Sequence, residues 1–162
     1  RTRPDYLWKE DKKIVNQRIS GGTMPLVFAL DTKKRRTFNS TNNIVLKKSL
    51  KNHYEFFTCL LNSKLINWYY ANNFSNNSNL TVNISKTFLE TLPIQLPNEN
   101  VLAKINDLHR ELENTYGTDA FNENYELLNI IIYKLYSLTH QEVLLIDPAF
   151  SLTEEAYNTY KA

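Results

Sequence analysis

Hydrophobic and polar positions alternate in short runs through the first fifty residues and then settle into a longer period. Residues 13–20, KIVNQRIS, are β-branched and mixed, and they end at the turn signal Gly21-Gly22. Residues 25–31, PLVFALD, are apolar on both faces, with Leu26, Phe28 and Leu30 on one and Val27 and Ala29 on the other. Such a strand is expected inside a sheet, with Pro25 at its first position. The connection TKKRR follows, and TFNSTNNIVLK (37–47) predicts a further strand with Ile44 and Leu46 on one face. The pattern therefore predicts a β-hairpin with the cations at its tip. In 53–72, apolar residues at 54, 57, 61, 65 and 68, flanked by 56, 60, 66 and 69, predict one helix with a broad buried stripe. Residues 72–79 form an amide-rich loop pattern, and 80–97 a short strand or turn region ending in prolines. Val101, Ile105, Leu108 and Leu112 then share a helical face, as do Leu128, Ile131, Ile132 and Leu135. The tetrads 139–142 and 151–154 each fit a capping box, so two short helices should close the chain. The expected fold class is α+β: a mixed sheet with a covering helix over 1–97, and a helical part over 98–162 packed on it.

A chain of 162 residues can bury a core without staples. Cys59 is its one cysteine, which excludes an intramolecular disulfide and points to a reducing compartment. No apolar run is long enough to span a bilayer, so no membrane partner is expected. Residues 1–13 are charged and lack the apolar stretch of a signal peptide. The missing initiator Met suggests a fragment of a longer protein. The net charge of +2 hides an asymmetry. Residues 1–51 hold thirteen Lys and Arg against four Asp and Glu, a net of +9, and the remainder carries −7. A basic front and an acidic back suggest one surface for a polyanion and another facing elsewhere. The densest cations lie in DTKKRRTFNSTNN, residues 31–43.

Other chemistry is sparse. Asp5, Glu10 and Lys12 superficially match a metal-dependent nuclease pattern, but only four residues separate Asp5 from Glu10. His53, His109, His140 and Cys59 fall in no metal-ligand spacing. His109 and His140 are expected on the surface near helix ends, and Cys59 is expected to be a small buried side chain. Three glycines could hardly build a phosphate loop. The Asn-x-Ser/Thr sites follow from an Asn-rich composition, and KKRR is short for a nuclear localisation signal. Trp68, Tyr69 and Tyr70 could stack on bases, although their helical spacing favours packing.

Three stretches carry a family resemblance. YEFFTCLLNSKLINWYY (54–70) resembles the NSKL helix of target-recognition domains in DNA methyltransferases. NISKTFLETLPIQLP (83–97) resembles the LPIP segment that follows it there, with Gln95 where the family's second proline often lies. IIIYKLYSLTHQEVLLID (130–147) resembles the helix-turn-helix that closes the same proteins. The chain is thus similar to the TaqI-like C-terminal specificity domain of type II and IIG restriction-modification enzymes. The resemblance implies a non-catalytic module that binds double-stranded DNA. It also implies an adenine-N6 methyltransferase core in the same chain, upstream of Arg1, holding S-adenosylmethionine. An endonuclease fusion and a cytoplasmic location are further expectations. The candidate DNA-binding residues are Arg18, Lys33, Lys34, Arg35, Arg36, Asn39, Ser40, Thr41, Asn42, Lys47 and Lys48, with Asn43 of the same polar run beside them. No cofactor or metal is expected in these residues. The rival readings are a protein-interaction module using the helical tail and a small nuclease using Asp5, Glu10 and Lys12.

Overall fold

β-Branched and apolar residues at the start of the chain build a small sheet, and amphipathic helices cover one side of it. The computed structural model describes residues 4–20, 26–74 and 82–161. A short helix α1 (Tyr6–Lys9) precedes strand β1 (Lys13–Gln17), the two-residue β2 (Ile19–Ser20), β3 (Phe28–Asp31) and β4 (Thr41–Ile44). A 3-10 turn over 48–53 leads into α2 (Tyr54–Leu61) and α3 (Lys64–Phe74). Then come β5 (Val82–Asn83), α4 (Lys86–Thr91), α5 (Glu99–Asn114), α6 (Asp119–Leu135), α7 (His140–Ile146) and α8 (Glu154–Thr159). The Gly21-Gly22 turn, Pro25 and residues 75–79 of the amide-rich stretch lie outside the described residues.

The sheet is antiparallel in the order β3-β1-β4, with Ile14 opposite both Leu30 and Ile44. This corrects the predicted hairpin. β3 and β4 do not pair with each other, because β1 lies between them. The link 32–40 instead leaves β3 at the Lys13 end of β1 and enters β4 at its Gln17 end. That excursion is about 13 Å at the rise of a strand. The link contains no glycine to form the tight primed turn of a short hairpin. β3 is likewise not an interior strand. Leu26 and Phe28 are buried, but Val27, just before β3, and Ala29 within it are exposed.

Alternation sorts the sheet into two faces. Ile14, Asn16, Phe28 and Ile44 face the helices, and Ile14 is completely buried there. α2 lies against β1, β3 and α5, while α3 lies against α6 and α7. One apolar cluster runs from Ile14 through Phe56, Leu60 and Ile105 to Ile132 and Tyr157. Burying each such side chain contributes about 1.5–3 kcal/mol.

The predicted single helix over 53–72 is two helices broken at Asn62-Ser63, and the second runs on to Phe74. The break has a tertiary cause. The Asn62 side chain leaves the helix to meet the backbone of β3: its Nδ2 donates to the Phe28 carbonyl at 2.8 Å, and the Phe28 N–H donates to its Oδ1 at 2.9 Å. Ser63, fully buried, accepts at Oγ from the Ile66 N–H and starts α3. Lys64 then turns outward, where Nζ donates to Glu126 of α6 at 2.6 Å and to Asp147 after α7 at 2.7 Å. Asn129 of α6 accepts from the Lys64 N–H at 2.8 Å. The NSK triplet is therefore a joint between the sheet edge and the tail helices.

The tail follows its periodicity. Val101, Ile105 and Leu108 of α5 and Leu128, Ile131 and Ile132 of α6 are buried. Leu112 and Leu135 are only half-buried. At Thr139 both bonds of the capping box are present. The second box does not form at Ser151. α8 starts at Glu154, with Thr153 as the cap accepting from the Ala156 N–H. His109 is buried rather than on the surface, because it extends the 101-105-108 stripe, and its Nδ1 lies 3.7 Å from Glu113. His140 is half-buried, with Nε2 at 2.8 Å from the Leu152 carbonyl. Burial pushes the Cys59 thiol up, as befits a packed side chain.

Candidate nucleic-acid interface

The sheet face opposite the helices is organised by one buried ion pair. Lys13 opens β1 and Asp31 closes β3, and the register sets them side by side. Lys13 is completely buried and Asp31 is 3% exposed. Lys13 Nζ donates to Asp31 Oδ2 at 2.6 Å and to the Arg35 carbonyl at 2.8 Å. The same carboxylate accepts from the Lys33 N–H at 3.0 Å and the Arg35 N–H at 2.8 Å. The Trp8 ring of α1 lies 5.7 Å from the ammonium. Burial pushes the Asp31 carboxyl up, but the Lys13 bond and the two backbone donors outweigh it and hold the group below the usual carboxylate range. Between those donors Lys34 takes the left-handed conformation, φ 53°. A non-glycine residue there is strained, and the two Asp31 bonds hold it.

Further along, Thr37 and Asn43 bond each other's side chains at 2.9–3.1 Å, and the Arg18 N–H donates to the Ser40 carbonyl at 2.8 Å. The cationic link is thus pinned at both ends of β1 and in its middle. Lys33, Lys34, Arg35, Arg36, Asn39 and Ser40 are all exposed. Lys34 pairs with Asp11 at 2.7 Å and Arg35 approaches Asp31 at 3.6 Å, both as largely exposed cations. Neither Lys33 nor Arg36 has an acidic partner among the described residues. Arg18 is exposed beside Ser40, and Lys47 and Lys48 are exposed beyond the other end of β1.

Three residues of the polar run lie within β4. Asn42 lies opposite Asn16 on the helix-facing side, and its Nδ2 donates to the Ile84 carbonyl at 3.0 Å. Thr41 and Asn43 are half-buried within β4. Of the aromatic trio, Tyr70 packs edge-on against Phe88 in the core at 4.7 Å, whereas Trp68 is partly exposed. Asp5, Glu10 and Lys12 do not converge. Lys12 pairs with Glu55, and Glu10 pairs with Lys51 at 3.2 Å. Among the described residues no group of three His, Cys, Asp or Glu could hold a metal ion.

The acidic half is carried by the helices. Glu99, Asp107, Glu111, Glu123, Glu142, Glu154 and Glu155 are all exposed on α5 to α8, and α5 lies against α2, which covers the sheet face opposite the Lys13–Asp31 pair. A concavity of about 710 Å³ lies between the β3 edge and α5 and α6. Leu26, Phe28, Leu112 and Leu128 help line it, and Glu113 and His109 are its only ionisable lining besides Cys59, Tyr116 and Tyr125.

The model of the TaqI-like C-terminal specificity domain matches residues 2–94, more than half of the chain. The chain belongs to that family. The match takes in the sheet, the cationic link, the NSK joint and the segment through Ile94. The tail helices α5 to α8 lie beyond it. No curated protein matches the chain. A TaqI-like specificity domain is a DNA-specificity part of restriction-modification enzymes and is not itself catalytic. No helix among the described residues is long and apolar enough to cross a membrane.

Sequence reasoning missed the residues that hold this surface together. From sequence Lys13 is one cation among thirteen, and Asp31 is the last residue of an otherwise apolar predicted strand. The only signal was their place at strand ends, which becomes informative once the register is known. Asn62 and Lys64 were noticed as a motif, but their partners lie at Phe28, Glu126 and Asp147, far along the chain.

Proposed function

We propose that this specificity domain reads duplex DNA in a sequence-dependent way through the pinned link 32–40. Arg18, Lys47 and Lys48 extend the same contact. The domain would present an adenine to an N6-methyltransferase core in the same chain, and that core would hold S-adenosylmethionine. Its chemistry lies outside these residues, as would any fused endonuclease. The setting is the cytoplasm, alongside the DNA that restriction-modification enzymes protect. One observation carries the reading: cations stand on a rigidly held loop, on the sheet face turned away from the acidic helices. Phosphate contacts from such a loop position the module, and arginines that reach base edges specify sequence.

The salt dependence of duplex binding tests this. Four phosphate contacts from Lys33, Lys34, Arg35 and Arg36 contribute a log–log slope of about −3.6, at about −0.9 each. Replacing all four with Ala should flatten the slope by that amount. An unchanged slope would move the contact elsewhere, to Lys47, Lys48 and Lys51. Exposed Leu144 and Leu145 on α7 favour a second reading, in which the tail docks a protein. Binding of that kind would survive high salt and ignore DNA.

A further inference from the structure

The cationic link carries one side chain that its charge does not explain. Phe38 is 85% exposed, with Arg35 and Arg36 before it and Asn39 and Ser40 after it. A single exposed phenylalanine is ordinary on a protein surface. This one differs in its mounting. The Phe38 carbonyl accepts from the Thr41 N–H at 3.1 Å, closing a turn. Thr37 on one side is bonded to Asn43, and Ser40 on the other is bonded to Arg18. The ring is therefore presented by a backbone held before and after it, so little ordering remains to be done on binding. The cations beside it attract phosphates, which would bring the ring to the groove between them.

We propose that Phe38 is a wedge that inserts between base pairs of the bound duplex, an inference that rests on the DNA reading above. A planar apolar ring has no phosphate to bind and no hydrogen bond to offer a base edge. Two contacts are open to it in DNA, packing on a thymine methyl and stacking on a base face; the second is the larger in area and alone bends the duplex. Insertion of such a side chain partly unstacks one step and kinks the duplex by about 20–90°. A sequence whose central step unstacks easily would then be favoured without any base-edge contact, which adds deformability to the sequence choice. Residues 35–40 of the link thus combine three roles: charge for the backbone, amides and hydroxyls for edges, and one ring for the stack.

The test uses the 162-residue chain and a duplex of about 25 base pairs carrying the sequence it selects from a random pool, with dyes at both ends. Energy transfer between the dyes reports the kink, and titration reports affinity. The unaltered chain should shorten the end-to-end distance. Phe38→Ala should bind about tenfold to a hundredfold more weakly and leave the duplex straight at saturation. Phe38→Trp should restore the kink. Because the ring is exposed, all three should melt alike. A kink undiminished in Phe38→Ala, or a bound duplex left straight by the unaltered chain, overturns the wedge and leaves the DNA reading standing. A chain that binds no duplex at all overturns both.

Discussion

Asp31→Ala is expected to destabilise the domain by about 3–5 kcal/mol, because it leaves the completely buried Lys13 ammonium without its carboxylate. The Arg35 carbonyl alone cannot replace that partner. For a chain of this length the melting temperature should fall by about 10 °C or more. The Lys33 and Arg35 N–H groups lose their acceptor in the same step, so the cationic link should also lose its order and its grip on DNA. Lys13→Met combined with Asp31→Leu should recover much of the stability, since an apolar pair of similar volume leaves no charge buried. It should not recover binding, because the loop donors stay unsatisfied. The pH dependence follows from the depressed Asp31 carboxyl. Its contribution is fully present above about pH 4, the ordinary carboxylate value, and is lost as pH falls through the lower folded value. Asp31→Asn should flatten that acid limb. Denaturant melts between pH 2 and 7 would show it, and an Asp31→Ala protein as stable as the parent would remove the pair from the account.

Ile131→Asp should unfold the domain, at a cost above about 4 kcal/mol, because the residue is 1% exposed and belongs to the main apolar cluster. Leu135→Asp should cost clearly less. Both residues share the same sequence-predicted stripe, but Leu135 is only half-buried at the end of α6, where a carboxylate can reach water. Circular dichroism melts of the two variants separate these cases. Equal melting temperatures would mean that the end of α6 is as closely packed as its middle.

The long helices α5 and α6 were legible because each buries a stripe at helical spacing and is long enough for the spacing to repeat. The Thr139 cap was legible because both its partners lie within four residues. The joint at Asn62-Ser63 was not, because apolar residues continue on both sides and the break is decided by Phe28, 34 residues away. The hairpin failed for a related reason. Adjacent strands usually pair, yet here β1 takes the middle place, where Lys13 finds Asp31 and Ile14 finds neighbours on both sides. Phe38 was hidden by the same assumption. Counted as part of a strand over 37–47 it belonged to a face, whereas it stands on a turn before β4 begins. The charge asymmetry was legible too, because a net of +9 in the first 51 residues survives any error of register.

Selection from a random duplex pool tests the central claim most directly, using the unaltered chain beside its Lys33→Ala, Arg35→Ala and Arg36→Ala variants. A bidentate arginine contact to guanine is worth about 1–3 kcal/mol at one position, whereas a phosphate contact weakens every sequence alike. The account predicts a defined motif for the unaltered chain, the same motif at lower yield for Lys33→Ala, and one relaxed position in at least one arginine variant. A pool returned without any enriched sequence by the unaltered chain would contradict it.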